Sequence, residues 1–295
     1  MELLQLRYFR TVARLEHMTQ AAQKLRIAQP ALSKTIARLE EDVGVPLFDR
    51  GGGRIRLNRF GKAYLDKVEK ALNLLEEGQR EVSELAGLEQ GSIHLVTSTV
   101  DRLSEPLHAF VARYPDIHFR ISQARPDEMA QLLESGEVDL VFAAMPIDRP
   151  GLTMEIVLSE ELYLAVPKGH RFADRARIHL REAANEPFIG YKEDFIFQRM
   201  NDAFFEAAGF APNFVCRVDE PPAVASLVRA GLGLALYACQ NRESVDMQLL
   251  SIESPVCQRQ YRLIWHDKRY LSLAARKFRD FVLDYFAEGR AALEA

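Results

Sequence analysis

The sequence predicts an α/β protein with a separate, helix-rich amino-terminal head, and three observations carry that prediction. Residues 1–90 read as helices interrupted once by a glycine-rich stretch, whereas from Ser92 short apolar runs alternate with helical ones. Basic residues gather at the front: residues 1–70 hold 14 Lys/Arg against 8 Asp/Glu, and the remainder holds 24 against 34. A length of 295 residues, 48% of them apolar and 27% charged, is an ordinary globular composition with room for two or three domains. A basic end on an acidic body is the electrostatic pattern of a nucleic-acid-binding head.

The head justifies itself element by element. Leu4, Tyr8, Phe9, Val12 and Leu15 recur near a 3.6-residue period and predict a helix over Leu3–Leu15. Thr19 reads as the N-cap of a short helix, Gln20–Leu25, whose small Ala21 and Ala22 allow close helix crossing. Arg26-Ile27-Ala28 is a tight joint. Pro30 suits the first turn of the next helix, which runs to about Asp42 and stops before Gly44 and Pro46. Leu32, Ile36, Leu39 and Val43 form its core stripe, leaving Gln29, Pro30, Ser33, Lys34, Ala37, Arg38 and Glu41 on the other side. A short helix, a three-residue joint and a second helix make a helix-turn-helix. Arg50, Arg54, Arg56 and Arg59 then flank a triple-glycine tip, with Ile55 and Leu57 alternating between them, which predicts a basic hairpin, or wing. No GK[ST] follows, so a nucleotide-cradling loop is not expected. Phe60 to about Leu88 carries Tyr64, Val68, Leu72, Leu75, Val82 and Leu85 on one stripe. A helix that long outreaches so small a head, so it is expected to pair with a copy of itself.

The body alternates strands (Ile93–Thr97, His118–Ser122, Val138–Ala144, Leu162–Val166, Phe214–Val218, Leu232–Tyr237, Tyr261–Trp265) with helices. The helices are Val100–Tyr114, Asp127–Glu134, one near Phe197–Ala208, Ala223–Ala230 and Leu271–Glu288. That alternation predicts a parallel sheet, and stretches around Pro146–Leu152 and His266–Tyr270 suggest two crossings between a pair of lobes. Gly231-Leu-Gly233 lacks the third glycine of a dinucleotide fingerprint and reads as a helix end. Asp139 reads as a strand-start polar residue. The three cysteines, Cys216, Cys239 and Cys257, show no CxxC spacing and read as small buried groups of a reducing compartment. Ser98 has no GxSxG elbow, and no histidine spacing suggests zinc, so neither catalysis nor a metal or other cofactor is expected. No apolar run approaches a membrane span, and no signal peptide is evident; a cytoplasmic protein is expected. Thr97-Ser98-Thr99, between the first body strand and its helix, suits either a small anion or a plain helix cap.

Leu6-Arg-Tyr-Phe9, Thr19-Gln-Ala-Ala22, Ala28-Gln-Pro-Ala-Leu-Ser33, Ile36-Ala-Arg-Leu-Glu40, Gly44-Val-Pro-Leu-Phe48 and Gly61 together resemble the amino-terminal signature of the LysR-type transcriptional regulators. Tyr114-Pro-Asp116, Gly136-Glu-Val-Asp-Leu140 and Ala230-Gly-Leu-Gly-Leu-Ala235 are similar to that family's effector domain. The resemblance implies a winged helix-turn-helix head (1–59), a dimerising helix and hinge (60–91) and a two-lobed effector-binding domain (92–295) like periplasmic solute-binding proteins. Within the last, lobe I is expected at about 92–161 and 267–295, and lobe II at 162–266. The implied partners are double-stranded DNA, a small-molecule effector and further copies of the chain in a homodimer or homotetramer. DNA contacts carry over onto Gln29, Pro30, Ser33, Lys34, Arg38, Arg50, Arg54 and Arg56. Effector contacts carry over onto Ser98, Thr99, Phe195 and Phe197. The family usually has a serine where Ala28 stands, and Ser or Thr where Pro126 stands; Arg125 beside it offers a cation instead. Two other classes fit parts of the chain: a solute-binding protein fits residues 92–295, and an α/β enzyme fits the lobes.

Overall fold

The computed structural model describes residues 1–51, 54–86, 91–239 and 246–294, without the side chains of 50, 51, 54 and 290–294. Helix α1 (Leu3–Leu15) sends Phe9, Val12 and Ala13 into the head core. Helix α2 spans Met18–Leu25, so Thr19 lies inside it rather than at its cap; His17 caps it instead, its Nδ1 accepting from the Gln20 N–H at 3.3 Å. Helix α3 (Gln29–Val43) has Pro30 in its first turn and ends at Gly44, whose φ of 84° is the left-handed conformation glycine permits. Leu32, Ile36 and Leu39 are fully buried between α3 and the neighbouring helices. Strands β1 (Phe48–Gly51) and β2 (Arg54–Leu57) pair antiparallel as the wing, Asp49 opposite Arg56. Glu40 ties its root to α3 by accepting from the N–H groups of Leu47 (2.8 Å) and Phe48 (3.2 Å).

Helix α4 (Arg59–Leu85) has 27 residues, roughly 40 Å at the α-helical rise. Gly61 is where it leaves the wing, because a Cβ there would meet the Leu47 carbonyl oxygen at 2.0 Å. Three surfaces share this helix. Val68 and Leu72 are buried in the head core, whereas Leu74, Leu75, Val82 and Leu85 are 65%, 51%, 65% and 83% exposed. The third surface is polar and buried against the body. Asn73 donates to the Ser135 carbonyl at 2.7 Å, and Glu77 accepts from Arg269 Nε at 2.7 Å. Arg80 reaches Asp139 at 3.1 Å, while the other oxygen of Asp139 accepts from the His94 N–H at 2.7 Å. Asp139 does stand at a strand start, but its acid group serves to fasten α4.

The body holds two larger sheets. The first contains β3 (Ser92–Thr97), β4 (His118–Gln123), β5 (Leu140–Ala143), β6 (Leu152–Glu161) and β13 (Gln258–His266), in the order β4-β3-β5-β13-β6. The second contains β7 (Tyr163–Val166), β8 (Arg177–His179), β11 (Ala235–Tyr237) and β12 (Gln248–Ser254), in the order β11-β7-β12-β8. Strands β9 (Pro187–Tyr191) and β10 (Asn213–Val218) pair beside it in parallel. Helices α5 (Ser104–Arg113), α6 (Pro126–Ser135) and α9 (Leu273–Glu294) cover the first sheet, and α7 (Ile196–Ala207) and α8 (Pro221–Arg229) accompany the second.

Three expectations are corrected. The sheets are mixed: β4, β3 and β5 are parallel, but β13 runs antiparallel to β5 and β6. Strands that cross from one lobe to the other and back must run in opposite senses. Since β13 belongs to the first sheet, the return to lobe I falls near Cys257–Gln258, not after residue 266. The helix expected from Val100 begins at Ser104, after a tighter turn over Asp101–Leu103. Among the described residues no helix is long and apolar enough to cross a membrane.

Glu77 is buried, and Arg269 carries its counter-charge. Removing one member of such a pair leaves a desolvated charge, so Arg269→Met is expected to destabilise the protein by about 3–5 kcal/mol. Adding Glu77→Gln to that variant should recover part of the loss. Thermal unfolding of the wild type and both variants checks this; an unchanged melting temperature in Arg269→Met would contradict it.

Candidate nucleic-acid interface and interlobe site

On α3, Gln29, Pro30, Lys34 and Arg38 are exposed and Ser33 is half-buried, all on the side opposite the Leu32, Ile36 and Leu39 stripe. Arg56 of β2 is exposed as well, while its neighbour Ile55 is buried and anchors the wing to the head. The side chains of Arg50 and Arg54 lie outside the described residues. Among the described residues, Lys34, Arg38 and Arg56 have no carboxylate within 4.0 Å. On the face of the head turned to α4, by contrast, two arginines are compensated: Arg10 meets Glu76 at 3.4 Å and Arg14 meets Glu69 at 2.9 Å. Cations left without counter-ions on one face, around an amide and a hydroxyl, suit a polyanion whose edges carry hydrogen-bonding groups. Ala28 stands at the N-cap of α3 and gives it no side-chain cap.

In the body, Ser98 follows the carboxyl end of β3. Its N–H donates to the Phe142 carbonyl at 3.2 Å and its Oγ accepts from the Ala144 N–H at 3.3 Å. The Thr99 N–H donates to Thr97 Oγ1 at 3.1 Å. Both N–H groups are therefore bonded within the chain, and the helix start that would have aimed them outward lies further on, at Ser104. Arg125 is exposed at the N-cap of α6, ahead of Pro126. Phe195 packs on Tyr191 and Phe197, with ring centroids 5.2 and 5.4 Å apart. Phe197 is buried beneath the guanidinium of Arg259, 3.9 Å from the ring centroid. Ser98 and Thr99 thus sit together, and so do Phe195 and Phe197. Among the described residues no hydrogen bond, ion pair or ring contact joins the first two, or Arg125, to the phenylalanines.

Two features went unread in the sequence. The first is a buried charge cluster between the lobes: Glu160 accepts from Arg102 Nε at 2.6 Å, from the Tyr261 hydroxyl at 3.2 Å, and lies 3.5 Å from Arg259 Nη1. Burial pushes the Tyr261 hydroxyl up to about 12, so it stays a neutral donor to Glu160 at physiological pH. The second is a groove of about 510 Å³ between the end of β5 and α7, floored by Gln258, Gln260 and Arg262 of β13. None of the five expected effector residues lines it. A cation inside the otherwise apolar run Tyr261–Trp265 was the available signal for Arg262.

Gly231 has φ +81° at the end of α8 and leads into β11, in keeping with a helix-end turn rather than a nucleotide loop. Cys257 is buried in the core of the second sheet, whereas Cys216 and Cys239 are half-buried.

Comparison with known proteins gives consistent findings. The bacterial regulatory helix-turn-helix protein, lysR family, matches residues 3–62, and the LysR substrate binding domain matches residues 86–287. The chain is 35% identical to the HTH-type transcriptional regulator YybE of Bacillus subtilis (strain 168), over 98% of this chain and all of that one. It is 30% identical to the transcriptional dual regulator GltC of the same organism, over 98% of each chain. Its fold is similar to full-length CbnR, a LysR family transcriptional regulator solved with its target DNA, at a TM-score of 0.69 and 22% identity over 96% of this chain and 99% of that one.

Burial pushes the Cys257 thiol up to about 12, and the thiolate is the reactive form. The native protein at about pH 8 should therefore leave Cys257 unlabelled by iodoacetamide, with labelling complete once urea unfolds the chain. Peptide mass spectrometry reads both states; rapid native labelling of Cys257 would contradict its burial.

Proposed function

The chain belongs to the LysR family of transcriptional regulators, and from that premise we propose that α3 and the wing read its DNA while a small organic anion, held between the lobes, tunes the DNA-bound state. The observation that carries the first half is the uncompensated cationic face of Lys34, Arg38 and Arg56 around Gln29 and Ser33. Gln29 has the amide geometry to bond adenine bidentately, and Lys34 and Arg38 reach guanine or phosphate. Pro30 and Ser33 complete that edge. Arg50, Arg54 and Arg56 serve the backbone or minor groove, because a wing beside the recognition helix lies over the strand rather than in the major groove. The head then comprises residues 1–59, the connecting helix and hinge 60–91, and the effector-binding domain 92–295.

The effector is a small organic anion, with Ser98, Thr99 and Arg125 offered from lobe I and Phe195 and Phe197 from lobe II. It shifts DNA binding only by its differential affinity for the two arrangements. The exposed Leu74, Leu75, Val82 and Leu85 on α4 support association of two copies through that helix.

Gln29→Ala is expected to cost ~1–3 kcal/mol on the specific site and little on scrambled DNA, read by gel-shift affinity. An equal loss on both would confine Gln29 to the backbone. Arg56→Ala should weaken binding to all sequences and lower the slope of log affinity against log salt by about one. For the effector, thermal-shift screening of carboxylates should find stabilisation of the wild type that Ser98→Ala/Thr99→Val diminishes. If only neutral or cationic compounds stabilise the protein, the anion reading fails.

A further inference from the structure

Strand β13 turns Gln258, Gln260 and Arg262 to one face and Arg259, Tyr261 and Leu263 to the other. The two faces treat charge in opposite ways. On one, Glu160 compensates both Arg102 and Arg259. On the other, Arg262 is half-buried and, among the described residues, its Nη atoms donate only to Gln260, at 3.3 Å to the carbonyl and 2.8 Å to the side-chain oxygen. Burial pushes the Arg262 guanidinium below its ordinary range, as expected of a cation drawn from water without a counter-charge. Across the groove Arg199 projects from α7, exposed, and among the described residues neither arginine has a carboxylate within 4.0 Å. Among the described residues, no Asp or Glu lines the groove. Beside the floor amides of Gln258 and Gln260 its walls are apolar, chiefly Met145, Pro146, Met200 and Val256, and Val256 is 72% exposed.

Two cations that border one groove of about 510 Å³, on different elements and with mainly apolar walls, define a complement. From this arrangement we infer that the groove between β5, β13 and α7 seats a small dicarboxylate with an apolar midsection, one carboxylate on Arg262 and the other on Arg199. The inference rests on the reading that an organic anion is the effector; it moves the charge-holding role to Arg199 and Arg262 and leaves Ser98 in touch with the groove through the Ala144 N–H. Arg262 stands on the first sheet and Arg199 on the helix packed against β9, so a dianion neutralises both and draws the two lobes onto itself. Planar guanidinium forks match carboxylates bidentately, which suits these positions better than lysine. The Ala144 wall of the groove is the residue whose N–H bonds Ser98, so occupancy would be felt at the end of β3.

The test is calorimetric titration of the full-length protein with linear dicarboxylates from succinate to suberate and with the phthalate isomers, alongside the matching diamides. At least one dicarboxylate is expected to bind the wild type, with each of Arg199→Gln and Arg262→Gln weakening it about tenfold or more and the diamides silent. Arg199→Lys should retain part of the affinity. Because Arg199 is exposed, Arg199→Gln tests the groove even if Arg262→Gln fails to fold. If no dicarboxylate binds, or if affinity survives Arg199→Gln unchanged, the groove is not the seat. Binding lost in Ser98→Ala/Thr99→Val but kept in Arg199→Gln would overturn the groove and spare the anion reading. Stabilisation by neutral or cationic compounds alone would overturn both.

Discussion

Glu77, in the middle of α4, is the contact on which the arrangement of head and body depends. A carboxylate 4% exposed on its side chain has to meet a cation or leave the interior, and Arg269 supplies it while also donating to the Glu134 carbonyl at 2.7 Å. Gly136 makes room: with φ +76°, it brings the chain so close that a Cβ would lie 2.1 Å from Glu77 Oε1. The helix cannot turn about its axis without breaking this pair. Asn73, one turn earlier, and Arg80 on Asp139 hold the same side. Further along, Tyr270 and the Leu273 N–H both bond Glu84, and in the other direction Arg14 of the head reaches Glu137. The rotation of α4 is thereby fixed, and with it the outward direction of Leu74, Leu75, Val82 and Leu85 and the placement of α3 relative to lobe I.

The same logic of paired and unpaired charge separates the surfaces that hold the molecule together from those that meet partners. The buried acids Glu77 of α4, Asp139 just ahead of β5 and Glu160 of β6 have arginine partners, and these pairs are structural. Among the described residues, two groups of cations without an acid within 4.0 Å stand beside groups that suit a ligand: Lys34, Arg38 and Arg56 on the α3 and wing face, and Arg199 and Arg262 in the groove between the lobes. The first faces outward over a broad surface and suits a long polyanion. The second is confined, with mainly apolar walls, which suits a small one.

Much of the fold is legible in the sequence. The 3.6-residue stripes are buried at Phe9 and Val12 and at Leu32, Ile36 and Leu39, so they mark α1 and α3 without help from tertiary structure, although Leu4 at the start of the first is exposed. Gly44 and Gly231 close helices for the same local reason. Strands β6, β8 and β12 are harder: β6 is a long crossing strand with only Val157 fully buried along its length, so its side chains show no apolar alternation. The cap of α2 misleads because a histidine ring nitrogen can accept the same hydrogen bond as a threonine hydroxyl. Of the residues proposed for the effector, Ser98, Thr99, Phe195 and Phe197 are visible through local pattern and resemblance. Arg199 and Arg262 are not, since they lie more than sixty residues apart and become a pair only when β13 returns beneath α7.

If paired copies of this chain read DNA sequence through α3, the full-length protein will select its sites from a random pool of double-stranded DNA. The expected result is enrichment of an inverted repeat whose half-site centres lie about one helical turn, or a multiple of it, apart, set by two α3 helices in successive major grooves. A pool that stays random after repeated rounds, or that yields only a single isolated half-site, would contradict it.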